Sequence, residues 1–257
     1  MIDAEFRDGR LLVVINQPAR MNAVSLAMWR SLESVLTEAR GRSDVSVLCL
    51  RGAGDRAFCS GGDITEYEEL SKSVGDAGAA YVGVRQVAEL LRGMPFPTVA
   101  GISGYCVGAG LVLATACDFR ICSDNALFKV TAVRRGLVYP VAAAAELVAL
   151  VGLGRTRAIL LRGRPMDAGQ AAAAGLVDEV VEPAAFERFL EAFCADLAAL
   201  SGDAYAGSKR AIHHALQLAA ENEEMRSLNL RALTSARFVE STRAFTRGEE
   251  SDARDKV

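Results

Sequence analysis

The chain has 257 residues, of which 51% are hydrophobic and 24% are charged, and its formal net charge is -3. This composition is typical of a globular protein with a large core and argues against a disordered chain. Lys and Arg are spread along the sequence without a basic block, which argues against nucleic acid as the main partner. No apolar run approaches the length of a membrane span, and the N-terminus lacks a signal-peptide core. We therefore expect a cytoplasmic protein.

The first part of the chain predicts alternating strands and helices. Asp8-Gly9 between two apolar runs predicts a β-hairpin, and Ser25 predicts the N-cap of a helix that continues to about Arg40. A buried strand is expected at residues 45–50. A glycine-rich loop with the sequence AFCSGGDI follows at residues 57–64, and a helix is expected at 76–92.

The central stretch, residues 97–118, predicts a buried strand at 98–103, a turn through Gly104, Gly108 and Gly110, and a buried helix at 111–117. A strand that turns through glycines into a helix leaves the first N–H groups of that helix unpaired. Such an end suits a phosphate, a carboxylate or an oxygen that becomes negative during a reaction. A tight turn with no ligand fits this segment equally well.

The second half continues with a strand at 119–122, helices at 140–151 and 155–161, a short helix capped by Asp167, and a strand at 177–181. From residue 183 the pattern is only helical, with helices expected at 184–200, 203–219 and 222–245. The chain is therefore predicted to form an α/β core with a mostly parallel sheet over residues 1–182 and a helical region over 183–257. That region either packs against a neighbouring subunit or folds back on its own core.

The cysteines and histidines give no sign of a metal centre. The six cysteines lie mostly in apolar segments and form no Cys-x-x-Cys motif, so we expect reduced core residues. The two histidines, His213 and His214, are adjacent and therefore point to different helix faces. We predict no metal and no resident cofactor.

The two glycine-rich loops each follow a strand, and each can present backbone N–H groups. Two such donors aimed at one point form an oxyanion hole, which stabilises an enolate or a tetrahedral oxyanion by a few kcal/mol, typically about 3. Neither loop contains the lysine of a phosphate-binding P-loop, which argues against phosphoryl transfer.

In these loops and their neighbours the chain resembles the crotonase (enoyl-CoA hydratase/isomerase) superfamily. The matching segments occur in order between about residues 10 and 182: RMNA at 20–23, AFCSGGDI at 57–64, PTVAGISGY at 97–105, VGAG at 107–110, CD at 117–118, RGL at 135–137, LRG at 161–163 and AAAGLV at 172–177.

The resemblance implies a spiral of ββα turns, a helical C-terminal trimerisation region, and a homotrimer or dimer of trimers. It implies an acyl-CoA or enoyl-CoA thioester as ligand, with coenzyme A as part of the substrate. The oxyanion N–H groups would come from Gly62 and Ala109. The expected CoA- and substrate-binding residues are Asn22, Ala23, Val24, Ser60, Gly61, Gly62, Asp63, Ile64, Thr65 and Ala109.

The chain departs from the family pattern at the two glutamates with which hydratases add water. Val112 and Ala132 occupy those positions and cannot transfer a proton, although each such group typically contributes a hundredfold or more to the rate. Tyr139 has either a chemical role, as a proton donor, or a packing role. Glu66 either reaches the acyl group or starts a solvated helix, and Glu146 is expected on the surface or in an ion pair.

Two functions fit these residues. The first is an enzyme of the enoyl-CoA hydratase/isomerase type that stabilises a thioester enolate and for which ordinary hydration is not expected. The second is a non-catalytic acyl-CoA-binding protein that keeps the pocket without the chemistry.

Overall fold

The chain begins with a β-hairpin. In the computed structural model, which describes residues 1–63, 65–66, 74–200, 202–216, 236, 239–240, 243–244 and 247, β1 (Ile2–Arg7) pairs antiparallel with β2 (Arg10–Ile15). Asp8 and Gly9 form the two-residue turn with φ of 49° and 73°. Positive φ at both positions is what a type I′ hairpin turn requires, so the predicted hairpin is confirmed.

The hairpin forms one edge of a six-stranded sheet in the order β1-β2-β3-β5-β7-β10. Its other members, all parallel to β2, are β3 (Val47–Gly52), β5 (Thr98–Ile102), β7 (Phe119–Ser123) and β10 (Glu179–Val181). Every residue of β5 is buried. Burial on both faces is typical of a parallel sheet covered by helices, and it explains why the sequence of this strand shows no alternation.

A second, four-stranded sheet has the order β4-β6-β8-β9. Its strands are β4 (Ala57–Cys59), β6 (Tyr105–Val107), β8 (Leu127–Lys129) and β9 (Met166–Asp167). Here the predictions at 57–59 and 104–108 were wrong, because short strands replace the expected loop and the direct turn into a helix. Strands of two or three residues are too short to show a periodic pattern. The parallel pairing of β4 with β6 brings the ends of both strands together.

Seven helices are described: α1 (Leu26–Arg40), α2 (Val74–Arg92), α3 (Ala109–Ala116), α4 (Val141–Arg157), α5 (Ala168–Ala174), α6 (Pro183–Ala198) and α7 (Gly202–Leu216). Ser25 caps α1 and Asp167 caps α5, as predicted, and the structure adds a capping box between Asp167 and Gln170. The break expected between helices at 140–151 and 155–161 is confirmed: α4 is interrupted at Gly152, where φ is 76° and ψ is 162°, and its second part continues into a π-helical turn, Ala158–Arg162. The helix expected at 222–245 lies largely outside the described residues.

The six-stranded sheet is covered on both faces. Leu48, Leu50 and Ala100 face a core shared with α1, α2 and α3, whereas the alternate residues Val47, Cys49 and Val99 face a smaller core. The residues that α6 adds to this smaller core are Phe186, Leu190 and Cys194. All six cysteines are free and buried, as the sequence predicted. Among the described helices, none has the length and apolarity to cross a membrane.

A buried ion pair fastens α7 to the core. The ammonium group of Lys209 donates to Asp118 at 2.7 Å and to the carbonyl of Leu91 at 3.3 Å. Asp118 also accepts from the backbone N–H of Thr98 at 2.9 Å. The Lys209 side chain is only 8% exposed, so its charge is used inside the fold.

We expect the Lys209→Met variant to lose about 3 kcal/mol of the free energy of unfolding, because removal of one partner leaves a buried, uncompensated carboxylate. Urea denaturation at neutral pH measures this loss. The double variant K209M/D118N should recover most of it, since an amide at position 118 carries no charge. Equal stability of K209M and the wild type would contradict this account of how α7 is held.

Candidate active site

The first glycine-rich loop leaves β4 and runs beside the residues that precede α1. Gly62 forms a parallel bridge with Val24, in which the Val24 N–H donates to Gly61 at 2.8 Å and the Asp63 N–H donates to Val24 at 3.0 Å. A parallel bridge uses the backbone groups on either side of one partner residue. The N–H of Gly62 itself therefore points away from Val24.

The second loop leads from β6 into α3. Gly108 is the N-cap residue with φ of 56° and ψ of -111°, and it provides no side-chain cap. Its carbonyl accepts from the N–H of Val112 at 3.2 Å, which starts the helical hydrogen bonds. Ala109 is the first helical residue, so its N–H has no acceptor within the helix and lies at the positive end of the helix dipole.

The two loops are in contact. A Cβ atom on Gly61 would lie 3.8 Å from the amide nitrogen of Ala109, and one on Gly110 would lie 2.3 Å from the carbonyl oxygen of Cys59. Gly110 must therefore be glycine for α3 to start this close to the end of β4. The close approach brings the segments of Gly62 and Ala109 side by side, as one oxyanion hole requires. Their role as its two donors stays a prediction.

The predicted ligand-binding residues before α1 are mostly buried. The side chain of Asn22 joins three backbone segments. It donates to the carbonyls of Ala53 at 3.0 Å and Ala57 at 2.6 Å, and it accepts from the N–H of Gln17 at 3.0 Å. Ala23 and Val24 are 9% and 1% exposed. Ser60 lies at the edge of the loop, where its hydroxyl donates to the carbonyl of Arg20 at 3.3 Å. Ile64 lies outside the described residues.

Asp63 braces the first loop. Its carboxylate accepts from Arg20 at 2.6 Å and from the hydroxyl and N–H of Thr65 at 2.7 Å and 3.1 Å. Burial alone would raise the pKa of Asp63, but the hydrogen bonds from Thr65 and Arg20 outweigh it and hold that pKa below its ordinary value. These bonds hold the backbone of the loop at Thr65 and tie it to Arg20.

This lowered pKa predicts a pH dependence. We expect Asp63→Asn to be less stable than the wild type by about 1 kcal/mol at pH 7, since the Arg20 contact is half exposed and contributes little. A carboxylate with a lowered native pKa stabilises the fold above its unfolded pKa, near 4, and loses that contribution as the pH falls towards the native value. Unfolding of both proteins from pH 7 to pH 3 measures the difference, which should shrink below about pH 4. A constant difference would contradict this role of Asp63.

The two positions at which the family resemblance predicts the hydratase glutamates are apolar in this chain. Val112 lies in the first turn of α3 and is 3% exposed, whereas Ala132 precedes a 3₁₀ turn, Val133–Arg135, and packs against the main core. Neither can transfer a proton.

An acidic residue does lie near Val112. One helical turn further along α3, the hydroxyl of Thr115 donates to Glu146 at 3.1 Å, and Glu146 also forms an ion pair with Arg92. Burial raises the pKa of Glu146, and the Arg92 guanidinium offsets part of that rise. The ion pair was one of the two situations that the sequence left open for Glu146, but the side chain is buried and not on the surface.

Tyr139 presents a buried hydroxyl. Within the part of the chain that the structure describes, this hydroxyl has no hydrogen-bond partner. Burial, with smaller contributions from Cys106 and Glu146, holds the pKa of Tyr139 well above its ordinary value. Cys106 belongs to β6, the strand that leads to Gly108 and Ala109, so Tyr139 lies near the second loop as a neutral hydrogen-bond donor.

Glu66 has a structural role that the sequence did not indicate. Its carboxylate accepts from the N–H of Leu26 at 2.7 Å, at the positive end of α1. Neither of its expected roles, an acyl contact or the start of a solvated helix, anticipates this bond.

The arrangement of two sheets, the glycine-rich loops and the buried central helix can be compared with known proteins. The family model for enoyl-CoA hydratase/isomerase matches residues 5–250. The chain belongs to this family. Because the match covers most of the sequence, the resemblance to the crotonase superfamily is confirmed, and so is the α/β crotonase-like fold.

Individual relatives agree with this assignment. A short-chain-enoyl-CoA hydratase of Clostridium acetobutylicum is 30% identical over 82% of this chain and 80% of its own. An enoyl-CoA hydratase structure from Mycobacterium avium subsp. paratuberculosis is 28% identical, with a TM-score of 0.85 over 95% of this chain and 98% of its own. A structure of an enoyl-CoA hydratase/carnithine racemase from Magnetospirillum magneticum is 32% identical, with a TM-score of 0.80 over 96% and 92%.

Proposed function

We propose that this family member binds an acyl-CoA or enoyl-CoA thioester and stabilises its enolate with the backbone N–H groups of Gly62 and Ala109. The observation that carries the proposal is the contact between the two loops, with the amide nitrogen of Ala109 3.8 Å from the Cβ position of Gly61. Preorganised backbone donors are most effective where water is excluded, and the residues around both loops are largely buried.

Proton transfer limits which reaction such a site performs. Adding water to a double bond needs groups that take and give protons, and Val112 and Ala132 provide none. Loss of carbon dioxide from a malonyl-type thioester forms an enolate without a base, because the bond to the carboxylate supplies the electron pair. That reaction needs only the oxyanion donors and an acid for the final protonation, for which the neutral hydroxyl of Tyr139 is the proposed donor. Isomerase and hydrolase reactions remain within the same proposal.

A panel of CoA thioesters tests the proposal: 2-enoyl, 3-enoyl, saturated acyl and malonyl-type substrates, each followed by mass spectrometry of the products. We expect turnover of at least one class, and a large loss in Gly62→Pro, which lacks the N–H group. Binding of the ligands with no turnover of any class would contradict an enzymatic role. Turnover that Gly62→Pro leaves unchanged would contradict the role of the loop amides.

The second candidate is a non-catalytic acyl-CoA-binding protein. Val112 and Ala132 favour it, because they leave the pocket without its usual acids. Titration calorimetry with a saturated acyl-CoA and with free CoA measures binding. Together with the turnover assays of the CoA-thioester panel, it distinguishes the two candidates. Binding at micromolar concentrations without any turnover supports the binding protein, and the absence of binding excludes both functions.

We further propose a homotrimer or a dimer of trimers, in which the helical region after residue 182 contacts a neighbouring subunit. Family membership supports this proposal. Light scattering on the purified protein measures the mass, and a monomer at micromolar concentration would contradict the proposed assembly.

A further inference from the structure

A cavity of about 380 Å³ lies between the start of the six-stranded sheet and α6. Its lining includes Cys49 of β3 and Cys194 of α6, and none of its lining residues belongs to the two glycine-rich loops. Both thiols are buried in the protein, at 9% and 5% exposure, and the cavity gives a small molecule a route to them. This pair plays no part in the proposed function.

The two cysteines lie in the same small core, where α6 packs against β3, and both line the cavity. Their interaction raises the pKa of Cys49 and lowers that of Cys194. The positive charge of Arg10 also lowers the pKa of Cys194. Because a thiolate is the nucleophile in thiol chemistry, Cys194 is the more reactive member of the pair.

The other four cysteines differ from Cys194 in the pKa of their thiols and differ from both members of the pair in their position relative to the cavity. Burial raises the pKa of Cys59, Cys117 and Cys122 to about 12, and it holds the pKa of Cys106 well above its ordinary value. None of these four sulfurs lines the cavity beneath α6. They provide an internal comparison for the reactivity of Cys49 and Cys194.

The charged groups around the cavity are mixed. Arg7, Arg10 and Arg51 line it together with three carboxylates, those of Glu5, Glu187 and Glu191. Arg51 is paired with Glu187, and Arg10 is the cation whose charge lowers the pKa of Cys194. The cavity is therefore not a general anion site, and its distinctive feature is the thiol pair.

We propose that Cys49 and Cys194 form an oxidation site that reacts with hydroperoxides and closes to a disulfide. The thiolate of Cys194 attacks one peroxide oxygen and breaks the O–O bond, which gives a sulfenic acid and, after protonation, water or an alcohol. The sulfur of Cys49 then displaces water from that sulfenic acid. In sum, two thiols and one hydroperoxide give one disulfide, one water, and an alcohol or a second water. The bond would join β3 to α6.

Hydrogen peroxide on the full-length protein tests the proposal. After treatment, free thiols are blocked with an alkylating reagent under denaturing conditions, and the intact mass and the peptides are measured. Relative to the untreated, alkylated protein, we expect two fewer alkyl groups and a further loss of about 2 Da, the two thiol hydrogens, with a cross-linked peptide pair that contains Cys49 and Cys194. The other four cysteines should remain alkylated at the same peroxide dose.

Variants separate a specific pair from general oxidation. Cys49→Ser and Cys194→Ser should each abolish the cross-link, and Cys122→Ser, which removes a buried thiol outside the pair, should leave it intact. A trivalent arsenical, which binds two neighbouring thiols, should modify the folded wild type once and neither pair variant, so the wild type alone gives a second readout if a variant fails to fold. Recovery of both cysteines fully alkylated after peroxide, or a cross-link that persists in Cys49→Ser, would overturn the proposal.

Discussion

The Ala109→Pro variant is expected to lower the turnover of the best CoA-thioester substrate by about 10² to 10³, the usual cost of removing one oxyanion-hole donor. Ala109 is the first residue of α3, and proline is well tolerated at that position because its N–H has no helical partner. The substitution therefore deletes the proposed donor with little effect on the helix. Steady-state kinetics with the substrate found in the panel measures the loss, which should appear in kcat more than in KM.

The matched control is Ala109→Gly, which keeps the N–H and removes only one methyl group. It should stay within a few-fold of the wild type, about threefold at most, because glycine at a helix end has a small conformational cost. Circular dichroism and thermal unfolding check that both variants fold. If Ala109→Pro folds and turns over substrate as the wild type does, the backbone of Ala109 is not a donor to the reacting oxygen.

Where a local pattern determines an element, the sequence predicted it. Asp8-Gly9 predicted the hairpin, whose turn has positive φ at both residues, and Asp167 predicted the start of a short helix that it caps. The family resemblance placed Gly62 and Ala109 in neighbouring loops, and the structure shows those loops in contact. Residues that are close together in sequence were sufficient to predict the hairpin and the helix cap, and a family motif with fixed spacing was sufficient to predict the neighbouring loops.

The rest depends on contacts between residues that are distant in sequence. β4 and β6 are too short for a pattern, and each exists because it pairs with the other. Glu146 lies in α4, 31 residues after Thr115, so its bonds to Thr115 and Arg92 appear only after α2, α3 and α4 have packed. Cys49 and Cys194 likewise come together only because α6 packs against β3. In the sequence they are two cysteines in separate apolar segments.

The double variant Val112→Glu/Ala132→Glu is expected to gain hydration of a short 2-enoyl-CoA by at least about 10² over the wild type, because each acid–base group contributes about 10² to 10⁴. Val112 follows Ala109 by three residues, so a carboxylate there begins on the same side of α3 as the proposed donor. Ala132 is partly exposed. Absorbance of the conjugated thioester measures the reaction.

The matched control is Val112→Gln/Ala132→Gln, which has the same size and polarity but cannot transfer a proton. If only the glutamate variant hydrates the 2-enoyl-CoA, the backbone donors are already in place in the wild type. The two missing carboxylic acids alone then explain why the wild type does not catalyse hydration. If neither variant hydrates although both fold and bind the thioester, the pocket differs from that of a hydratase in more than two side chains. The ion pair of Glu146 with Arg92, which Glu146 joins to Thr115 one helical turn beyond Val112, is then the first difference to test.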